Sequence, residues 1–180
     1  MPNPITHILI TIILIELFRE YFIKDNRKFP RYYILIAAFA GIIPDLDLLA
    51  YYVLYFFGFG VEQIHRTFLH SLFIPLILFL IGIMILKFGV KIKFLRKHHI
   101  KLSVVFFIFT AGNLVHLILD SIITGKIIPF YPLLDYSIGL NIISNFPEGL
   151  QWMISHTIDV LLLFFWIFWM EFKLKIRDYF

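Results

Sequence analysis

Residues 102–124 read LSVVFFIFTAGNLVHLILDSIIT, an apolar stretch long enough to cross a bilayer as one helix. Two ionisable residues, His116 and Asp120, interrupt its carboxyl-terminal half. This i,i+4 pair shares one helix face, so the imidazole and the carboxylate can reach a common partner. A carboxylate at the centre of a span costs about 2.5–3.5 kcal/mol on insertion scales, and such residues usually mark a functional site. The stretch therefore predicts a membrane helix that carries a polar site.

The whole chain has the same apolar character. Of its 180 residues 61% are hydrophobic, and its mean hydropathy of +0.89 is too high for a soluble domain. We predict an all-α integral membrane bundle that forms a single domain over residues 1–180. Hydropathy places about five transmembrane helices in it, at about residues 5–23, 32–57, 68–86, 102–124 and 153–172.

Basic residues fix the expected orientation of these helices. Nearly all Lys and Arg fall in the segments KDNRKFPR (24–31), KFGVKIKFLRKHHIK (87–101) and KLKIR (173–177). The positive-inside rule makes these segments cytoplasmic and places the amino terminus outside. Residues 125–152 then form an extracytoplasmic interfacial loop or re-entrant lid, since they are too long and too aromatic for a plain turn. These cytoplasmic segments account for the net charge of +4, so nucleic-acid binding is not indicated.

On this topology, seven histidines and aspartates fall in the outer half of the membrane. The chain has no cysteine, so a metal there must be held by imidazole nitrogen and carboxylate oxygen. We predict a buried centre for two or three divalent ions, with zinc favoured and manganese as the alternative. The predicted metal ligands are His7, Asp45, Asp47, His65, His70, His116 and Asp120.

The second span contains GIIPDLD at residues 41–47, and we expect its helix to be broken at Pro44. Broken helices at membrane depth usually line a cavity. Asp45 and Asp47 are i,i+2, so only an irregular backbone lets both converge. One carboxylate is expected to bind a metal, while the other orients a histidine or binds a second ion. Either could serve as the catalytic base, and a plain polar turn is the alternative.

His65 and His70 are five positions apart and need a loop-to-helix transition to share a metal. Thr67 could cap the helix that follows. Arg66 is predicted to bind a phosphate or carboxylate of the substrate, and the alternative is that it reaches lipid headgroups.

The remaining polar residues leave alternatives open. For the HxxxD pair alone, a hydrogen bond between packed helices is as good an interpretation as a metal site. His156 and Asp159 could hydrogen-bond to the metal ligands and orient them, or they could form a polar cap at the membrane interface. Other candidates for orienting the ligands are Asn113, Ser71, Ser121 and Thr124, whereas His98 and His99 are excluded because they lie in a basic cytoplasmic segment.

Four segments carry a family resemblance: His7, GIIPDLD at 41–47, HRTFLHS at 65–71 and GNLVHLILDSIITGKIIPFYPL at 112–133. Together they resemble the successive motifs of the YdjM-like membrane-bound metal-dependent hydrolases. The ligand pattern is also similar to that of zinc-dependent phospholipase C. The third motif usually resembles HRGxTHS, and here Thr67 and Leu69 occupy its Gly and Thr positions. The resemblance implies a small multispanning protein with a hydrolytic metal centre.

We therefore expect a multi-pass cell-membrane hydrolase with its active site on the extracytoplasmic side. Its substrate is expected to be a lipid or lipid-linked phosphoester of the outer leaflet, with Asp45, Asp47 and Arg66 as catalytic residues. The alternative is a divalent-metal transporter or binding protein that uses the same cluster. A metalloprotease and a serine hydrolase are disfavoured, because HExxH and GxSxG are absent.

Overall fold

The structure is a computed structural model that describes residues 4–25, 28–65, 67–90, 92, 95, 100–123 and 125–172. Within these residues the regular elements are all helical, and the one β-feature is an isolated antiparallel bridge between Ile127 and Ile138. The α-helices are α1 (Pro4–Phe18), α2 (Tyr32–Ala40), α3 (Asp47–Leu54), α4 (Val61–Ile64), α5 (Phe73–Phe88), α6 (Leu102–Ile123) and α7 (Glu148–Phe172). A π-helical turn, Arg19–Ile23, continues α1, and 3₁₀ turns occur at Pro44–Leu46, Tyr55–Phe57 and Ile143–Asn145.

Two helices, α6 and α7, are long and apolar enough to cross a membrane on their own. Tyr32–Ala40 and Pro44–Phe57 pass the same test as a pair that is bent by 54°, which raises the number to three. The predicted all-α membrane protein is therefore confirmed, and so is the break of the second helix beside Pro44. The count of five spans and the outside position of the amino terminus stay predictions.

Helices α1, α2 and α6 pack against one another, while α5 lies along α6 and α7 lies against α1. The core of this packing is Phe29, Tyr33, Ala37, Ala40 and Ile108. Small residues bring α2 and α6 together, because a Cβ added at Gly112 would lie 2.5 Å from the Cβ of Ala40. This close approach sets the end of α2 beside the middle of α6.

Two helix boundaries differ from the predicted spans. Helix α5, which corresponds to the predicted span 68–86, begins only at Phe73, because the preceding residues form turns. The Thr67 hydroxyl donates to the carbonyl of Ile64 at 2.6 Å. The expectation that Thr67 caps that helix is wrong. The last helix begins at Glu148, five residues before the predicted start, directly after Pro147. A proline before the first turn and an acidic residue within it both favour a helix start there.

Candidate metal centre

The structure brings all seven predicted ligands together from five parts of the chain. His7 comes from α1, while the two aspartates lie on either side of the junction between the Pro44 turn and α3. His65 follows α4 directly, His70 lies in the turn before α5, and α6 supplies the last two ligands. The seven form three overlapping groups whose ligand atoms lie within 4.8 Å of one another: His7, His116 and Asp120; Asp45, His70 and His116; Asp47, His65 and His70.

Four of these atoms form a compact donor set, which we call the central set: Nε2 of His70, Nε2 of His116, Oδ1 of Asp45 and Oδ2 of Asp120. The two nitrogens are 3.3 Å apart. Asp45 Oδ1 lies 3.7 Å and 3.5 Å from the nitrogens of His70 and His116. Asp120 Oδ2 lies 3.4 Å and 3.6 Å from the same two nitrogens.

Five of the six separations within the central set are 3.3–3.7 Å. Ligands of one zinc ion at about 2.0–2.2 Å lie about 3.3–3.6 Å apart when tetrahedral, so either carboxylate oxygen can share an ion with the two imidazole nitrogens. Two imidazole nitrogens and two carboxylate oxygens are also donor types that zinc accepts. Oδ1 of Asp45 is buried and makes no hydrogen bond to any described residue, as expected for an atom that faces a cation. The residues present therefore fit a divalent metal.

Asp47 faces two imidazoles and lies outside the central set. Its Oδ1 is hydrogen-bonded to Nδ1 of His65 at 2.8 Å. Its Oδ2 lies 3.1 Å from Nδ1 of His70, although that nitrogen makes no hydrogen bond to any described residue. A carboxylate this close to Nδ1 favours the proton on that nitrogen, which leaves a lone pair on Nε2. The contacts favour for Asp47 the role of orienting a histidine, which the sequence left open.

A backbone carbonyl orients the other imidazole. Nδ1 of His116 lies 2.8 Å from the carbonyl oxygen of Gly41, which can only accept a hydrogen bond. The proton therefore sits on Nδ1, and Nε2 presents its lone pair to the central set. Gly41 is at the break of the second helix, where a Cβ would lie 2.7 Å from the carbonyl oxygen of His7. Because Gly41 has no side chain, the backbone at the helix break can approach the metal centre closely.

His7 lies next to the central set, in contact with His116 and Asp120. Its ring stacks on that of His116 with centroids 3.8 Å apart, and its Nε2 lies 3.4 Å from Oδ1 of Asp120. Asp120 thus faces His7 with one oxygen and the central set with the other. Such a bridging carboxylate is suited to join two adjacent ions, or to tie His7 to a single one.

The centre is almost closed to solvent. The side chains of His70, His116, His7 and Asp120 are at most 1% exposed, and Asp45 is the most open at 13%. Buried polar groups normally need partners, and buried charges must be paired or bound to metals. The centre is therefore most open at Asp45.

A family model described as YdjM inner membrane protein matches residues 1–178. The chain belongs to the YdjM inner membrane protein family. Searches of curated proteins and of solved structures gave no match. The predicted family is confirmed, whereas the likeness to zinc-dependent phospholipase C stays a prediction.

Several polar residues of this YdjM family member lie away from the centre or serve the fold. His156 is exposed, and its Nδ1 bonds to the carbonyl of Trp152 on its own helix. Asp159 accepts a buried hydrogen bond of 2.5 Å from Thr6, so it ties α7 to α1 one residue before His7. The hydroxyls of Ser71 and Ser121 donate to backbone carbonyls three residues earlier, Phe68 and Ile118.

Asn113 is a different case. It is fully buried one helical turn before His116, and neither side-chain polar atom has a hydrogen-bond partner in the described residues. A buried amide of this kind calls for water or a ligand beside it. Two further candidates, Arg66 and Thr124, lie outside the described residues, and so do the excluded His98 and His99.

The sequence did not point to the Gly41 carbonyl or to the Thr6–Asp159 bond. Gly41 opens the GIIPDLD motif, so its place beside a helix break was a signal that could have been read. Thr6 gave no such signal, because its partner is 153 positions away.

Proposed function

We propose that this protein is a membrane-embedded, metal-dependent hydrolase that cleaves a phosphoester of a lipid or lipid-linked substrate. The central set carries this proposal, since it presents two imidazole nitrogens and two carboxylate oxygens, and each oxygen lies 3.4–3.7 Å from both nitrogens. Its membership of a membrane protein family and its apolar helices support a lipid substrate.

The contacts indicate a role for each residue of the centre. Asp45, His70, His116 and Asp120 would hold the ion, and His7 and His65 flank them. A divalent ion supplies Lewis acidity toward a phosphoryl oxygen and an activated water at neutral pH, and zinc is favoured over manganese by the donor set. A second ion would use Oδ1 of Asp120 beside His7, and a third would use Asp47 beside His65.

The chain's own residues set the geometry. The Gly41 carbonyl fixes the ring of His116, and the Asp47 carboxylate lies 3.1 Å from Nδ1 of His70, so the ligands need little rearrangement when the ion binds. The near absence of exposed ligand surface keeps bulk water out and strengthens electrostatic interactions inside. Asp45 is the most exposed ligand, which makes it the member best placed to meet the substrate and to act as base.

The localisation is also part of this proposal. The chain is proposed to be a multi-pass protein of the cell membrane with its centre on the extracytoplasmic side, as the distribution of Lys and Arg predicts. A lipid headgroup would then enter from the outer leaflet while its chains stay in hydrocarbon. Arg66 is proposed to bind the phosphate of that headgroup.

The test is release of phosphate or headgroup from mixed membrane lipids by the purified chain. We expect release that chelator abolishes and zinc restores, and that is lost in Asp45→Asn. The matched control is Asp135→Asn, which alters an exposed loop carboxylate. Chelator-insensitive release, or no release from any lipid, contradicts the proposal. Zinc uptake into proteoliposomes without hydrolysis supports the transporter instead.

A further inference from the structure

A helical hairpin rich in aromatic side chains begins and ends at the metal centre. It consists of α3, the turn Tyr55–Phe57 and α4, and the chain turns back at Gly58, whose φ of 86° strongly favours glycine. Asp47 is the first residue of α3, and it is hydrogen-bonded at 2.8 Å to His65, which directly follows α4. We call residues 47–64 the aromatic hairpin.

The aromatic hairpin is apolar and mostly exposed. Residues 48–61 read LLAYYVLYFFGFGV and contain no charged side chain. All eight residues of α3 are described, and of these only Asp47 is buried, because the helix packs chiefly against α4. An exposed apolar surface of this extent indicates contact with lipid or with another protein. Its large side chains that are between 62% and 86% exposed are Leu49, Tyr52, Val53, Tyr55, Phe56 and Phe57.

One face of the hairpin starts at the open side of the metal centre. Asp45 is the most exposed ligand, at 13%. Leu49, Tyr52 and Phe56 follow it by 4, 7 and 11 positions, which is the spacing of a single helix face. We call these three side chains the α3 stripe. The stripe therefore runs from the most open ligand to the tip of the hairpin.

Helices α2 and α6 provide a measure of depth in the membrane. They run side by side in the same direction, because the backbone N–H of Lys101 donates to the Tyr33 hydroxyl near their beginnings and Gly112 meets Ala40 further along. Helix α6 is long and apolar enough to cross a membrane by itself. Its end at Ile123 therefore lies near one membrane surface.

The bend after α2 keeps the hairpin below that surface. The Gly41 carbonyl is level with His116, and from there α6 continues for about 10 Å to its end. The segment Pro44–Phe57 is about 20 Å long, and the bend of 54° reduces its rise along the α2 axis to about 12 Å. A straight continuation would carry the apolar tip about 10 Å beyond α6 into water. With the bend, the tip ends near the level of Ile123, within the roughly 15 Å of hydrocarbon in one leaflet.

We propose that the aromatic hairpin lies obliquely within one leaflet, so that lipid covers the α3 stripe and the open side of the metal centre at Asp45 faces that lipid. A substrate then reaches the centre sideways, from within the membrane. The lipid contact rests on the hairpin alone, and only the identification of that lipid with the substrate rests on the proposed hydrolase activity.

Nitroxide labels test where the hairpin lies. The chain has no cysteine, so single cysteines at Leu49, Tyr52 and Phe56 can each carry one label in the full chain, reconstituted in vesicles of phosphatidylethanolamine and phosphatidylglycerol. We expect the ratio of collisions with oxygen to collisions with a water-soluble nickel complex to be several-fold higher than for a label at Lys28, which is 76% exposed in a basic segment. It should match the ratio for a label at Ile118, on the exposed face of the membrane-crossing α6.

Two results overturn the proposal. Nickel access equal to that at Lys28 would mean that the hairpin projects into water. Low access to both reagents, with broadening between labels of neighbouring molecules, would mean that a second copy of the chain covers the stripe. Thermal unfolding of each labelled protein identifies a variant that is not folded, and the remaining positions then decide.

Turnover tests the sideways route. We expect kcat/KM for phosphate release from phosphatidic acid in vesicles to exceed that for water-soluble glycerol phosphate at least about tenfold, because the hydrocarbon adds binding energy. Leu49→Asn with Phe56→Asn should reduce this preference, whereas Ile118→Asn should keep it. An equal rate for both esters, or an unchanged preference in the stripe variant, overturns the route. If neither ester releases phosphate the hydrolase fails, and the labels alone decide whether the hairpin lies in lipid.

Discussion

Nε2 of His70 lies 3.3 Å from Nε2 of His116, although the two residues are 46 positions apart in the chain. Each ring has its Nδ1 facing an acceptor, so both Nε2 atoms direct lone pairs at the space between them. Two carboxylate oxygens face the same space. Such an arrangement is favourable when a cation lies at its centre, because four acceptors otherwise repel in a medium of low dielectric constant.

The first prediction concerns metal content. Wild-type protein purified without chelator should contain a stoichiometric divalent ion, and His116→Ala with Asp120→Ala should lose it. His156→Ala is the control, because that imidazole is exposed and bonds only to its own helix in the described structure. Elemental analysis of the three proteins measures the result. Equal metal in all of them would mean that the ion is bound elsewhere.

The second prediction separates the two carboxylates of PDLD. Asp47→Asn should weaken metal affinity about 10–100-fold, since residues that orient ligands typically have effects of this size. Asp45→Asn removes a direct ligand and should weaken affinity more. Competition with a chromophoric chelator measures both, and Asp135→Asn is the control. A larger loss for Asp47→Asn than for Asp45→Asn would reverse the roles assigned to them.

The third prediction concerns the close approach at Gly41. In Gly41→Ala the new Cβ would lie 2.7 Å from His7 O and 2.8 Å from Thr11 Oγ1, so α1 and the helix break must move apart. We expect a loss of about 1–3 kcal/mol in stability together with weaker metal binding, because the carbonyl that orients His116 moves. Gly149→Ala, which meets nothing within 4 Å on α7, should leave metal affinity unchanged and raise stability by at most about 1 kcal/mol. Thermal unfolding in detergent and the metal competition assay together check this, and an unchanged metal affinity in Gly41→Ala contradicts it.

The fourth prediction concerns the link between α1 and α7. Thr6→Val removes the buried hydrogen bond to Asp159 and should lower the unfolding free energy by about 1–3 kcal/mol. Metal content should stay at the wild-type value, because Asp159 belongs to none of the three ligand groups. Thr157→Val, at an exposed position on α7, is the control. Loss of metal in Thr6→Val would instead place Asp159 within the metal site.

Much of the site could be predicted from residue types and their spacing. All seven histidines and aspartates proposed as ligands converge, and the i,i+4 pair on α6 points at one place because helix geometry alone requires it. The irregular backbone needed by Asp45 and Asp47 is present as the turn Pro44–Leu46 followed by α3. Helix ends were less well predicted, since Thr67 bonds backwards to Ile64 and α5 starts only at Phe73.

The sequence by itself determined that the chain is an all-α membrane protein and that any metal is held by nitrogen and oxygen. Hydropathy, charge and donor type are local properties, so they can be read from residues close together in the chain. Only the tertiary structure decided that Asp45 belongs to the central set while Asp47 faces two imidazoles. It also decided that the Gly41 carbonyl orients His116. Those features depend on the 54° bend and on packing between helices distant in sequence, and no local pattern encodes such distances.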